Sequence, residues 1–273
     1  MGRDYPHYRR GCPDRPLRGV TVHLLLSTLL FRWYVFFFWA AGLVALSRAT
    51  GPSSAFLRFF VAWAVTYLFE WSSSSPGGWF PFGHYRYLPT TVGREIWIGH
   101  LPLMDSLSLA FLAVGALGVA GLSAGLTLGE LLSAPRRLWI RISGIALLLF
   151  VMIDMVIDPV ALRGGRWFLG QIYDYPGGGS YFGVTWSNFV GWGVTGAVIL
   201  FFWRVLPRSP RPGGDPASHV ERFLPPFLYL SVYLFNLAIA LYLGEGRIAL
   251  ADLFLAAGAG TILLWVRRRA KAQ

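Results

Sequence analysis

Two aspartates at helical spacing are the residues of this chain best suited to chemistry. Asp154 and Asp158 stand at the end of an apolar segment that begins near Leu138. Side chains four residues apart lie on one face of a helix, one turn from each other. A carboxyl group at the edge of a bilayer core is costly and therefore indicates a functional site. In apolar surroundings it favours its protonated form, so the pair is suited to general acid–base chemistry.

The composition indicates that a membrane holds this pair. Hydrophobic residues make up 55% of the chain and charged residues 14%, whereas a soluble domain carries about a quarter charged residues. The mean hydropathy is +0.52. Seven apolar stretches have about the 20 residues that cross a bilayer core. We therefore predict an all-α integral membrane protein with about seven transmembrane helices in one bundle, at residues 31–48, 54–70, 101–125, 138–157, 184–204, 223–243 and 247–266.

The sequence predicts one polytopic transmembrane domain, residues 31–266, between two basic tails. The N-terminal tail, residues 1–30, includes an apolar stretch from residue 17, and Arg32 separates this stretch from the first span. Either an interfacial helix precedes the span, or one long helix carries Arg32 inside it. We favour the interfacial helix, because an arginine within the bilayer needs a partner and the sequence identifies none. Residues 267–273 form the C-terminal tail.

The net charge of +11 does not predict a nucleic-acid partner. All 24 basic residues except Lys271 are arginines, and they are concentrated in the tails and short loops. Basic residues flank membrane spans in this way, where they meet anionic lipid headgroups. We therefore expect contacts with membrane lipids and none with nucleic acid.

Several polar side chains converge on one membrane face in a seven-span topology. Two long loops, residues 71–100 and 159–183, lie on that face and are rich in aromatic residues and glycine. Loops of this length are uncommon unless they bind or cover something. Each polar residue also has a structural alternative: a helix end before Pro159 for Asp158, an interfacial anchor, a cap, or helix–helix hydrogen bonding. The converging residues are Glu70, Asp105, Asp154, Asp158, Asn188 and Asp252, with His84 and His100, which we expect to be structural, in or beside the loops.

The chain lacks the common metal and nucleotide motifs. It contains no HExxH, no CxxC, no Walker loop and no GxGxxG before a helix. We therefore predict no cofactor and no metal. The expected chemistry is acid–base catalysis by carboxyl groups on a lipid-soluble substrate.

Two clusters of residues resemble a known family. The first runs from Asp154 and Asp158-Pro159-Val160-Ala161 through Trp167 and Tyr181-Phe182-Gly183-Val184 to Ser187-Asn188-Phe189 and Gly191-Trp192. The second comprises Glu70, Pro81-Phe82-Gly83, Tyr85, Tyr87 and Leu101-Pro102. Together they resemble the membrane carotenoid hydratases of the CruF type, a family that includes the bacterioruberin-pathway hydratase. Residues 72–78, 103–108 and 171–179 depart from the family pattern near the expected mouth of the substrate site. The identity of the substrate therefore stays open.

The resemblance implies a cofactor-independent carotenoid 1,2-hydratase, a hydro-lyase in the cell membrane of a prokaryote. It would add water to a terminal isopropylidene double bond of an acyclic carotenoid taken from the bilayer, giving a tertiary alcohol, and would associate with other enzymes of the carotenoid pathway. Two alternatives stay open: a carotene cyclase, and a non-catalytic protein that binds or transports a carotenoid or lipid. The catalytic candidates are Asp154, Asp158, Glu70 and Asn188; the substrate-binding candidates are Tyr85, Tyr87, Phe82, Trp167, Tyr181, Trp192, Asp105 and Asp252.

Overall fold

The computed structural model describes residues 22–207 and 219–271, and within them the chain is almost entirely helical. Seven helices, α2 to α4 and α6 to α9, are long and apolar enough to cross a membrane, so the predicted fold class is confirmed. The helices are α1 (Val22–Phe31), α2 (Trp33–Thr50), α3 (Pro52–Ser74), α4 (Leu103–Ser123), α5 (Leu128–Ser133), α6 (Arg136–Ala161), α7 (Trp186–Val205), α8 (His219–Tyr242) and α9 (Gly246–Lys271). Four two-residue strands lie in the loops: β1 (Arg86–Tyr87), β2 (Trp97–Ile98), β3 (Leu101–Pro102) and β4 (Tyr173–Asp174).

The seven predicted spans match the observed helices, and the largest difference is at the C-terminus. Helix α9 continues to Lys271 instead of ending at residue 266. Basic side chains favour the C-terminal end of a helix and can extend their charges toward water, so they prolong the helix beyond the apolar stretch. Residues 1–21 of the predicted N-terminal tail, the loop 208–218 and the last two residues lie outside the described part. The domain boundaries therefore stay predictions.

Arg32 has the partner that the sequence did not identify. Only this residue separates α1 from α2, and its amide still donates to the Thr28 carbonyl at 2.9 Å. The buried guanidinium forms two hydrogen bonds with Glu95, from Nε to Oε2 at 2.9 Å and from Nη2 to Oε1 at 2.7 Å. The long loop between α3 and α4 thus supplies the counter-charge that allows an arginine at this depth.

Helix α4 lies at the centre of the bundle. Its residues are mostly buried, and it packs against α2, α3, α6 and α8. Glycines allow the close approach to α8, since a Cβ on Gly115 would lie 3.1 Å from Cβ of Tyr229. Small residues at such crossings are typical of membrane bundles. Helix α9 is mostly exposed and lies at the periphery.

The two long loops close one end of the bundle and pair with each other. Strand β1 runs antiparallel to β4, with Arg86 opposite Asp174 and Tyr87 opposite Tyr173. Strand β2 pairs with β3 within the first loop. The pairing of β1 with β4 brings tyrosines from distant parts of the chain together above the ends of α3, α4, α6 and α7.

Gly191 and Gly193, both on α7, provide a matched test of close packing. A Cβ on Gly191 would lie 2.6 Å from Cα of Phe82, whereas one on Gly193 would meet only Val151 Cγ2 at 3.7 Å. We expect Gly191→Ala to destabilise the protein by about 1–3 kcal/mol because the loop carrying Phe82 must shift. Gly193→Ala should be neutral or stabilising by up to about 1 kcal/mol. Melting temperatures of the two variants in detergent would test this, and equal values would contradict the prediction.

Candidate active site

The two aspartates of α6 form one buried cluster with Asn188. Pro159 does not end the helix, which continues to Ala161, so Asp158 keeps its helical position one turn from Asp154. Asn188 lies in the first turn of α7, and its Nδ2 donates to Oδ2 of Asp154 at 2.7 Å and to Oδ2 of Asp158 at 2.9 Å. The interpretation that Asp158 only marks a helix end is therefore wrong. Asn188 does join two helices, but it does so through both carboxyl groups.

Tyr173 and Tyr175 complete the hydrogen bonds of Asp158. The Tyr173 hydroxyl donates to Oδ1 at 2.7 Å and the Tyr175 hydroxyl donates to Oδ2 at 2.8 Å. Burial raises the pKa of both tyrosines well above the usual range, so the hydroxyls keep the protons that they donate. Asp158 thus accepts three hydrogen bonds. Asp154 accepts one, and its Oδ1 has no partner among the described residues.

A cavity of about 200 Å³ lies beside this cluster, and its walls are mostly apolar. Asp158 lines it, whereas Asp154 is 0% exposed and lies behind Asp158. The two aspartates therefore have different positions. Asp158 faces the cavity, and Asp154 lies behind Asp158, away from the cavity. The predicted site residues that line the cavity are Glu70, Phe82, Tyr85, Tyr87, Asp105, Asp158, Trp167, Asn188 and Trp192.

A group of four tyrosine rings forms one wall of the cavity. The ring of Tyr85 lies 5.4 Å from that of Tyr87, 6.4 Å from that of Tyr173 and 6.2 Å from that of Tyr175. Burial raises the pKa of Tyr85 and Tyr87 well above the usual range, so they too stay neutral. Neutral aromatic rings present electron-rich faces that attract a cation.

Another part of the wall carries two further carboxyl groups. Glu70 comes from the end of α3 and Asp105 from the first turn of α4. Oε2 of Glu70 and Oδ2 of Asp105 are both buried and have no hydrogen-bond partner among residues 22–207 and 219–271. Arg32 also lines the cavity, but its guanidinium is bound by Glu95 and donates to the Tyr34 hydroxyl at 3.0 Å.

Two predicted substrate-binding residues do not line the cavity. Tyr181 packs on Phe189, with ring centroids 5.4 Å apart. Asp252 lies buried on the peripheral helix α9, where its backbone carbonyl accepts a hydrogen bond from Tyr233 at 3.0 Å. Topology placed both residues at the correct membrane face, but their helix or loop directs them away from the cavity.

The two histidines of the first long loop also lie outside the cavity. His84 is exposed. Nε2 of His100 lies 2.9 Å from Oγ of Ser74, its ring packs on Trp71, and burial lowers its pKa. Within the described residues, no three His, Cys, Asp or Glu side chains are grouped so that they could hold a metal ion. The expectation that the site needs neither metal nor cofactor stays a prediction.

Sequence reasoning missed several residues of the cavity. Tyr173 and Tyr175 stand in the aromatic loop, but nothing in their spacing shows that they reach Asp158. Arg32 lies at the junction of α1 and α2, Tyr34 lies in the first turn of α2 and Asn236 lies within α8, and all three line the cavity. A polar residue inside an apolar span was the available signal for Arg32 and Asn236.

The cavity reaches the side of the bundle between α2, α8 and the second long loop. Phe168 and Phe235 line it and are 57% and 41% exposed. Their rings pack together, and Phe168 also packs on Tyr34 of α2. Exposed apolar rings on a membrane-spanning bundle are suited to contact lipid, so this is the side on which the cavity comes nearest to the bilayer.

Comparison with known proteins identifies the family of this chain. The sequence model of one family, described as carotenoid biosynthesis protein, matches residues 20–265. No curated protein and no solved structure matches the chain. The family match covers all seven membrane-spanning helices except the last residues of α9, and it includes every residue that lines the cavity. The chain is therefore a multi-pass membrane protein of the carotenoid biosynthesis protein family.

Proposed function

We propose that this protein is a carotenoid hydratase that adds water to the terminal isopropylidene double bond of an acyclic carotenoid end. One observation carries the proposal: a carboxyl group held by three donors, Asp158, faces an otherwise largely apolar cavity inside a membrane bundle. The family match supports a role in carotenoid biosynthesis. The hydration itself is our inference from the residues around the cavity.

The reaction begins with proton transfer from a carboxyl group to the less substituted alkene carbon. The π electrons form the new C–H bond, and a tertiary cation remains on the carbon that bears the two methyl groups. We assign this proton transfer to Asp158, because the three hydrogen bonds that it accepts would stabilise the carboxylate left behind. Asp154 is connected to it through Asn188 and positions the cluster.

Water then adds to the cation. Its oxygen forms the C–O bond, and one of its protons returns to the protein, so the carboxyl groups are restored and the substrate gains one water. The rings of Tyr85, Tyr87, Tyr173 and Tyr175 form one wall of the cavity and stabilise a cation through their π faces. No redox step is needed, so the chemistry asks for no cofactor.

The substrate would enter from the bilayer past Phe168 and Phe235. The cavity of about 200 Å³ accepts the end of the carotenoid, while the polyene lies along the apolar surface of the bundle. We place the protein in the cell membrane of a prokaryote, beside the other enzymes of its carotenoid pathway, and this location is part of the proposal.

Expression in a lycopene-accumulating bacterium tests the function. We expect pigments heavier than lycopene by one or two waters, about 18 Da for each hydrated end, detected by mass spectrometry of the extract. A ring-containing product of unchanged mass would instead identify a cyclase, which quenches the same cation with an internal double bond. If neither lycopene nor a longer or one-end-cyclised carotenoid changes while the protein is present in the membrane, the enzyme proposal is wrong and a binding or transport protein remains.

A further inference from the structure

Two carboxyl oxygens in the cavity lack a protein partner, and this is the feature that the proton donor does not explain. Oε2 of Glu70 and Oδ2 of Asp105 are buried without a hydrogen bond from any described residue, and both residues line the cavity. Glu70 is only 6% exposed. Buried polar atoms are nearly always satisfied, so each unsatisfied one calls for a ligand or an ordered water.

The surroundings of these oxygens favour a water. Two acceptors from different helices, α3 and α4, face the same cavity, and a water can donate one hydrogen to each of them. The nearby cation does not replace it, because the Arg32 guanidinium is bound by both oxygens of Glu95 and by Tyr34. Tyr87, whose side chain interacts with the Glu70 carboxyl group, lines the same cavity.

The two carboxyl groups come from other helices than the proton donor. Glu70 lies on α3 and Asp105 on α4, whereas Asp158 lies on α6 and accepts from Tyr173 and Tyr175, and all three residues line the same cavity. The cavity therefore holds one carboxyl group placed to donate a proton and two others with an oxygen that lacks a donor among the described residues. Water addition needs both a proton donor and a proton acceptor, because the proton that the alkene gains and the proton that the water loses belong to different atoms.

We propose that Glu70, together with Asp105, binds the water that adds to the carotenoid cation and that Glu70 accepts its proton. This inference rests on the proposed hydratase function and assigns one step within it. The water oxygen forms a bond with the tertiary carbon, and the O–H bond that breaks leaves its proton on the Glu70 carboxylate, from which it returns to the acid through the cavity. Without that base, the cation can lose a proton to re-form an alkene, or close a ring, but adds water slowly.

The test separates cation formation from water addition. Membranes containing the wild-type protein or the Glu70→Gln variant are incubated in D₂O with the unhydrated carotenoid that the wild-type protein converts. The pigments are then analysed by mass spectrometry. Deuterium enters the unhydrated carotenoid whenever the cation forms and then loses a hydrogen. We expect Glu70→Gln to lower the yield of alcohol by about 100-fold or more, while deuterium still enters the recovered alkene or an isomer of it.

Matched variants make the result decisive. Glu130→Gln changes the same residue type at the opposite end of the bundle, where glutamine can keep the capping box with Thr127, and should hydrate as wild type does. Asp105→Asn should lower hydration less than Glu70→Gln. Glu70→Asp, which keeps a carboxylate, should recover part of the hydration and serves as the test if the glutamine variant does not reach the membrane.

Three results would overturn the inference. Normal hydration by Glu70→Gln would show that Glu70 is not the base. Joint loss of hydration and deuterium uptake, with normal protein in the membrane, would assign Glu70 to cation formation or to the shape of the site. Glu70→Asp that is as inactive as Glu70→Gln would exclude a role for the carboxylate. If wild type itself hydrates no carotenoid, the proposed function fails, and that outcome is distinct from these three.

Discussion

Asp158→Asn is expected to abolish most turnover while the protein still folds and takes up carotenoid. Asparagine has nearly the same shape, and its one side-chain oxygen can still accept from either Tyr173 or Tyr175, but it has no acidic proton to give to an alkene. General acid catalysis contributes typically about 10²–10⁴-fold to a rate. We therefore expect product formation to fall by about that factor, measured as hydrated pigment per amount of protein in the membrane.

Asp174→Asn is the matched control for this variant. Asp174 follows Tyr173 in the chain and pairs with Arg86 at 2.7 Å, but it does not line the cavity. It makes the same chemical change close to the site, so it should leave turnover within about twofold of wild type. If the two variants lose activity equally, the loop and not the acid accounts for the loss. Full activity in Asp158→Asn would remove this residue as the proton donor.

Asp154 has a different expected result because it lies behind Asp158. Asp154 does not line the cavity, but Asn188, which does, donates hydrogen bonds to both Asp154 and Asp158. Asp154 is therefore a positioning residue. We expect Asp154→Asn to lower turnover by less than Asp158→Asn and to shift the pH dependence of the rate, since it removes one of two interacting carboxyl groups. A rate–pH profile of the same shape as wild type would argue for a purely structural role.

The sequence was sufficient to predict the acidic residues that line the cavity, all of which lie on membrane-spanning helices. Hydropathy identified the seven spans, and a spacing of four residues placed Asp154 and Asp158 on one helix face. The topology then brought Glu70, Asp105 and Asn188 to the same end. Each of these inferences depends on local periodicity or on the alternation of sides, and both can be read without knowing how the helices pack.

The remaining parts depend on contacts between distant residues. Arg32 and Glu95 are 63 residues apart, and Tyr173 meets Tyr87 through strands of only two residues, which leave no periodic pattern. Asp252 shows a further limit: topology gives the depth of a residue but not the rotation of its helix. Helix α9 is apolar along most of its length and lies at the periphery of the bundle, so its sequence does not show which side packs against the other helices.

The contact between Arg32 and Glu95 leads to the largest expected effect on stability. Both side chains are almost fully buried, with 2% and 0% exposed. Removal of one partner of a buried ion pair leaves an uncompensated charge and costs about 3–5 kcal/mol. We expect Glu95→Gln to lower the free energy of unfolding in detergent by that amount, because the guanidinium then has no counter-charge and the first long loop loses its anchor to the junction of α1 and α2.

The exposed ion pair of Arg86 and Asp174 is the control that distinguishes the effect of burial on stability from the effect of losing a charge. It has the same bidentate geometry, at 2.7 and 3.0 Å, but its side chains are 59% and 26% exposed. Because exposed pairs contribute about 0–1 kcal/mol, Asp174→Asn should change the unfolding free energy little. The double variant Arg32→Met with Glu95→Gln removes both buried charges and should recover much of the stability that Glu95→Gln loses. If Glu95→Gln were as stable as Asp174→Asn, the buried charge on Arg32 would have to be compensated by the cavity carboxylates, and Asp105 would then be its counter-ion and not an acceptor for water.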